Sequence, residues 1–365
     1  MKLTLGAFAC LATLAFPARP APDPGEPLAQ LLDLLAVVDA ATPAIALGTL
    51  AAPPPELLAV VRRSDSERAR AARVALQQAE PAGEARAVLA TGFFGAGDPE
   101  AVLLLTRRLA AKEAEVRWRS AFALAWSAGS AAGREAAPRL RECRSDPDPV
   151  VRRFAFVAAC QLAADTPPAD AELTVWLQSP EPADRQAGQV ALLCLPPAVA
   201  AAWLPQISAE MWGGGTSTQA RLALLARRAG AFAAPTLREL REKLALPRPE
   251  PHYLRCVALA GRAARPLLPD VLAVAARAHS GCSAAAIEVL PGLGAELPEV
   301  LPELLRLWAV ADGQTRLRRL AIVAALRGFG PESIPALEAL LHEDDPYLQV
   351  VVAANLGALK RMESR

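Results

Sequence analysis

A helix–turn–helix pattern returning about every 35 residues is the strongest constraint on what this chain can fold into. Its clearest copy closes the sequence. Ile334 to Leu341 reads as one helix, Asp344-Asp345-Pro346 as a turn, and Tyr347 to Leu359 as a second helix. Apolar residues in these segments recur at i, i+3, i+4 and i+7, which is helical and not strand spacing. Working back along the chain, first helices are expected to open near Pro99, Ala137, Asp170, Ala198, Pro235, Pro266, Pro298 and Ile334. Second helices are expected near Val116, Val151, Asp184, Gln219, Leu254, Cys282, Leu317 and Leu348. A chain of 365 residues is long for one ordinary core. A repeat array escapes that limit, because each unit packs only on its neighbours.

Composition agrees with many short helices. Hydrophobic residues make up 53% of the chain and aromatics only 5%, so Ala and Leu, both good helix formers, carry the core. Thirty-three prolines are too many for a few long helices and suit repeated first turns and connections. The net charge is +1, so no global basic excess draws the chain to nucleic acid or anionic lipid. The cations are almost all Arg; the lysines are Lys2, Lys112, Lys243 and Lys360. The cysteines form no CxxC pair and no Cys/His cluster with metal spacing. Cys143, Cys160, Cys194, Cys256 and Cys282 read as small buried residues; a disulfide between Cys160 and Cys194 is the weaker alternative.

The N-terminus reads as an export signal. Lys2 supplies a positive charge, Leu3 to Phe16 is uncharged and apolar, and Pro17 to Ala21 breaks the segment. The stretch is shorter than the roughly 20 residues a bilayer span needs, but fits a secretory core. Residues 1–21 are therefore expected to be a signal peptide, 22–52 a Pro-rich linker with capping helices, and 53–365 the repeat region. The competing reading makes the segment a buried first helix. Cys10 follows Ala7-Phe8-Ala9, which comes too early for a lipoprotein anchor. An exported protein, periplasmic or secreted and with no membrane span after signal removal, is the expectation.

Several second helices share an opening: Val116-Arg117 then Ser120-Ala121, Val151-Arg152 then Ala155, and Asp184-Arg185 then Ala187-Gly188. From about Glu84 to Leu359 this pattern resembles HEAT repeats, in particular the short bacterial type also found in bilin lyases. The resemblance implies an all-α, right-handed solenoid of about eight to nine helix pairs. It also implies a ladder between loop aspartates and the arginine opening the next second helix. Asp146, Asp148, Asp344 and Asp345 match the acidic positions, and Arg117 and Arg152 the basic ones. Leu348-Gln349 departs from the pattern, so the ladder is expected to be incomplete.

No constellation points to catalysis, a cofactor or a metal. The three histidines, His252, His279 and His342, are far apart in sequence. The single pair His342-Glu343 cannot supply the di-iron site of HEAT-repeat hydroxylases. No GxSxG, Walker or dinucleotide loop occurs. The Gly-rich stretch Met211 to Thr216 lacks the Lys-Ser/Thr of a phosphate loop. It reads as a flexible connection, or as a tip presenting Met211 and Trp212 to a partner. Arg62, Arg63, Arg68, Arg70 and Arg73, and again Arg316, Arg318 and Arg319, read as solvated faces in preference to a phosphate strip. The final helix is apolar on most sides at Val350 to Ala354, where a terminal repeat should be polar; shielding by the polar tail Lys360 to Arg365 is the plainer explanation, and contact with a partner or a second copy the sharper one. The expected function is a non-enzymatic scaffold presenting a concave surface of second helices to unknown protein partners. Met211, Trp212, Arg117, Arg152 and Tyr347 are the candidate contacts. The alternative is a cytoplasmic protein acting on nucleic acid, as HEAT-like glycosylases do, or on a tetrapyrrole-protein substrate.

Overall fold

Prolines and small polar residues open the helices of this chain. The computed structural model describes residues 66–163, 167–277, 282–310, 315–342 and 345–363, together with positions 47 and 50. The expected signal segment and the region of Pro53 to Arg63 lie outside the described residues, as do His279, Asp312, Glu343 and Asp344. Every regular element among the described residues is helical, so the fold is all-α. The chain divides into two compact units, Met1–Pro196 and Pro197–Arg365.

The first unit contains α1 (Ser66–Gln78), α2 (Pro81–Phe94), α3 (Pro99–Arg108), α4 (Ala114–Ala125), α5 (Ala131–Glu142), α6 (Pro149–Leu162), α7 (Asp170–Leu177) and α8 (Pro182–Cys194). Pro is the first residue of α2, α3, α6 and α8, where its missing N–H costs nothing. Asp98 accepts a hydrogen bond from the Glu100 N–H at 3.2 Å, and Asp148 accepts from Val150 at 2.7 Å, capping α3 and α6. One boundary differs from the sequence expectation. Helix α5 opens at Ala131 and not near Ala137, because Ser130 accepts from the Gly133 N–H at 2.9 Å and caps the helix earlier, carrying Pro138 inside it.

The second helices α2, α4, α6 and α8 pack each on the next, and each also packs on its own first helix, α1, α3, α5 or α7. An aromatic chain runs through the second helices. Phe122 stands edge-on to Phe93 at 6.1 Å and to Phe154 at 5.9 Å, and Trp118 stacks on Phe154 at 4.9 Å. Gly92 lets α2 approach α4: a Cβ there would lie 2.4 Å from the Ala123 Cβ and 2.7 Å from its Cα. Gly92→Ala is therefore expected to destabilise the protein by about 1–3 kcal/mol. Gly83→Ala in the same helix meets nothing within 4 Å and is expected to be neutral or stabilising by up to about 1 kcal/mol. Denaturant melts of both variants check this.

The second unit contains α9 (Pro197–Trp212), α10 (Thr216–Ala229), α11 (Ala234–Ala245), α12 (Pro251–Ala260), α13 (Leu268–Ala275), α14 (Ser283–Val289), α15 (Leu297–Ala309), α16 (Thr315–Phe329), α17 (Ile334–Ala339) and α18 (Pro346–Glu363), with short 3₁₀ turns between several of them. Here α10, α12, α14, α16 and α18 pack in sequence, each beside its own first helix. Pro266 falls inside a 3₁₀ turn, Gly261–Leu267, so α13 opens two residues later, at Leu268.

Candidate protein-binding surface

The two units differ in what their second helices leave open. In the first unit, residues 118–125 of α4 and 154–160 of α6 are buried without interruption. A buried run of about two turns means a helix covered nearly all round along that stretch. Over these stretches α4 and α6 therefore offer no open face where a concave surface was expected, whereas α8 is more open, with Leu193 and Cys194 half-buried.

In the second unit each second helix keeps exposed positions at helical spacing. Helix α10 exposes Arg227 and Arg228 beside half-buried Leu224, and α12 exposes Arg255 and Ala258. Helix α14 exposes Glu288, α16 exposes Leu317, Ala324 and Arg327, and α18 exposes Val350 and Ala354. The opposite sides of the same helices are core: Leu222 and Ala226, Tyr253 and Val257, Ile287, Ile322 and Leu326, Leu348 and Val352. Because consecutive second helices touch, at axis spacings of about 8–10 Å, these exposed stripes form adjoining strips.

Arg117 and Arg152, expected as partner contacts, have an internal role instead. Each is the fourth residue of its helix. Arg117 Nη1 donates to the carbonyls of Ala111 and Lys112 at 3.0 and 2.8 Å. Arg152 Nη1 donates to those of Asp146 and Pro147 at 2.8 and 3.0 Å. Arg185, at the same place in α8, donates to Ser179 and Pro180 at 2.8 and 2.9 Å. In all three the acceptors lie six and five residues back, so the side chain grips the turn that leads into its own helix.

Arg117 also forks onto Asp146, Nε to Oδ2 at 2.8 Å and Nη2 to Oδ1 at 2.9 Å. This is one rung of the expected ladder. The hydrogen bond to Asp146 raises the Arg117 guanidinium above its ordinary value, against burial. Burial pushes the Asp146 carboxyl up, but the Arg117 hydrogen bond, the Asp148 N–H and the charges of Arg117 and Arg152 together hold it below its ordinary value. Asp148 is a helix cap and no rung. A second rung joins Arg153 to Asp184 at 2.6 Å, one residue beyond the arginine the sequence pattern singles out.

Met211 and Trp212, expected on a loop tip, are the last two residues of α9 and are 1% and 3% exposed. The Gly-rich turn shrinks to Gly213–Gly215, and the Trp212 carbonyl accepts from Gln219 Nε2 at 2.8 Å. Trp212 lies 6.1 Å from Tyr253 and is part of the core. The three glycines that follow give the end of an apolar helix the look of a loop in the sequence. Tyr347 is where the sequence suggested: 52% exposed in the first turn of α18, with the Arg316 guanidinium 4.5 Å from its ring centre.

The remaining polar groups do not converge. His252 Nδ1 is 3.1 Å from Glu250, and His342 ends a 3₁₀ turn. Among the described residues no group of His, Cys, Asp and Glu is arranged to hold a metal, and no helix is long and apolar enough to cross a membrane. Cys143, Cys160, Cys194, Cys256 and Cys282 are not joined in disulfides, so the Cys160–Cys194 alternative is not formed, and burial raises the thiols of Cys160 and Cys256. Arg221 is pushed down to about 10 by burial. Arg318 is buried between α14 and α16, its Nε 3.4 Å from the Ser283 hydroxyl.

Sequence reasoning missed Arg255, Ala258, Ala324 and Arg327 as surface positions. No family model matches the chain, and no curated protein matches it. Among solved structures, the crystal structure of an engineered protein from the Northeast Structural Genomics Consortium is 16% identical. That similarity covers 91% of this chain and 98% of that one, at a TM-score of 0.35, too low to assign a fold or a function.

Proposed function

We propose that the helix pairs are HEAT-like repeats of a solenoid and that the protein is a non-enzymatic scaffold. It binds protein partners on the open second-helix strips of residues 197–365. The observation that carries this is the contrast between units. The middle stretches of α4 and α6 in the first unit are covered nearly all round, while the second helices of the second unit leave adjoining strips of arginine and small apolar residues in solvent. An extended surface of this kind gains affinity from many modest contacts and a few anchors. Arg255 and Arg327 are the anchors this surface offers, with Tyr347 at its end. The apolar segment Leu3 to Phe16 supports export and so a partner outside the cytoplasm.

The test is site-specific photocrosslinking in the cells that make the protein. A crosslinker at Ala258 or Ala324 is expected to form a discrete protein adduct, the same at both positions. The same group at Val175 or Leu305, exposed on first helices α7 and α15, is expected to form none. Equal adducts at all four positions, or adducts to nucleic acid alone, would overturn the proposal.

A further inference from the structure

Charge is segregated between the two helix layers of the second unit. The second helices α10, α12, α14, α16 and α18 carry ten Lys and Arg and two acids, Glu288 and Glu363. The first helices α9, α11, α13, α15 and α17 carry four Lys and Arg and seven acids. The whole chain is nearly neutral, at +1, so this is a local arrangement and not a basic protein.

Some second-helix cations are paired, Arg316 with Asp345 at 3.6 Å and Lys360 with Glu338 at 2.6 Å, and others are not. On the first-helix side Arg241 meets Asp270 at 3.1 Å, Arg306 meets Glu303 at 2.5 Å, and Glu299 draws in Arg265 at 2.5 Å. On the second-helix side Arg227 and Arg255 are exposed and make no ion pair among the described residues. Arg327 reaches only the neutral Asn355 Oδ1, at 3.3 Å. Unpaired cations on one face raise its potential and favour a partner of opposite sign.

Between the arginines the face is apolar and shallow: Leu224, Ala258, Ala285, Ala324 and Val350. Among the described residues of this face an exposed aromatic on which bases could stack occurs only at its end, at Tyr347, whereas single-stranded nucleic acid is held on repeated stacking platforms. Glu288 stands exposed in the middle and would oppose any continuous run of negative charge, phosphate or carboxylate, so the partner's acids must fall at separate positions away from it. Small apolar side chains flanked by separate guanidiniums instead match a helix with an apolar stripe and carboxylates beside it.

We infer that the second-helix face of residues 197–365 binds an acidic amphipathic segment of another protein, its Asp and Glu paired with Arg227, Arg255 and Arg327 and its apolar stripe laid on Leu224, Ala258 and Ala324. This rests on the scaffold reading above and specifies its partner.

The experiment measures binding of the full chain to three fluorescent probes: a Glu/Leu-patterned amphipathic helical peptide, its Lys/Leu counterpart, and a single-stranded oligonucleotide. The acidic peptide is expected to bind at least about tenfold tighter than the other two, and to weaken as salt rises. The triple variant Arg227→Glu, Arg255→Glu, Arg327→Glu is expected to lose that binding by about tenfold or more and to gain affinity for the basic peptide. An Arg→Gln triple variant, with its melt compared to the parent, separates charge from folding and should show an intermediate loss. Tighter binding of the oligonucleotide, no acidic-peptide binding, or binding unchanged in either triple variant would overturn the inference. If crosslinks form at Ala258 and Ala324 while the acidic peptide fails, the surface stands and only the acidic partner is wrong.

Discussion

Phe122→Ala is expected to lower the unfolding free energy by about 3–5 kcal/mol, the largest effect of any single truncation considered. Phe122 is fully buried and touches rings from both neighbouring second helices, Phe93 in α2 and Phe154 in α6. Its removal deletes apolar burial and leaves a cavity whose walls are helices from three consecutive pairs. Rings at 4.5–7 Å also carry edge-to-face attraction of about 0.5–1.5 kcal/mol per pair beyond area, and Phe122 takes part in three such pairs, with Phe93, Phe154 and Trp126. Urea unfolding followed by tryptophan fluorescence, which reports on Trp118 and Trp126 beside the cluster, is the measurement. A loss below about 1 kcal/mol would mean that the helices close over the gap, contrary to the packing described.

Arg117→Ala is expected to cost about 2–3 kcal/mol. One guanidinium satisfies two turn carbonyls and both oxygens of Asp146, with the two side chains 13% and 9% exposed. Truncation strands a largely buried carboxylate. Arg117→Lys keeps the charge but not the fork, and should fall between the parent and Arg117→Ala. The pH dependence follows from the sign of the shift. Asp146 titrates lower in the fold than its ordinary 3.8. Its stabilising contribution is therefore complete above that value and is lost as the pH falls through the lower folded one. Asp146→Asn should be less stable than the parent at pH 7, and the two should converge as the pH falls below the lowered folded value of Asp146. A gap that persists in acid would mean the carboxylate contributes by geometry and not by charge.

The sequence revealed the helices well and the surface poorly, for different physical reasons. Helix openings are set by local chemistry that is written in the chain: Pro99, Pro149 preceded by Asp148, and Asp170 all mark first turns. Where two signals compete, as at Ser130 and Pro138, the cap wins, and the helix opens six residues before Ala137. Burial depends on what packs opposite, and that is not local. Arg117 and Arg152 looked like surface cations because arginine usually is one, yet both close turns. Trp212 looked exposed because glycines follow it, yet the indole lies against Tyr253, forty-one residues on. Arg255 escaped notice because it sits alone in its helix; only the tally of charge by layer makes it stand out, and that tally requires knowing which helices form a layer.

The repeated arginine grip sets a ruler along the first unit. With acceptors five and six residues back in each case, the turns before α4, α6 and α8 have a fixed length. A residue added between Ala111 and Arg117, or between Asp146 and Arg152, would push the carbonyls out of register. The turn at Gly213–Gly215 is held more weakly: the fourth residue of α10 is Gln219, which donates to the one carbonyl of Trp212, seven residues back, and a Cβ on Gly215 would meet nothing within 4 Å. Length variation and engineered insertions should therefore concentrate at that turn. The connections entering α4, α6 and α8 should keep their length even where their sequences drift.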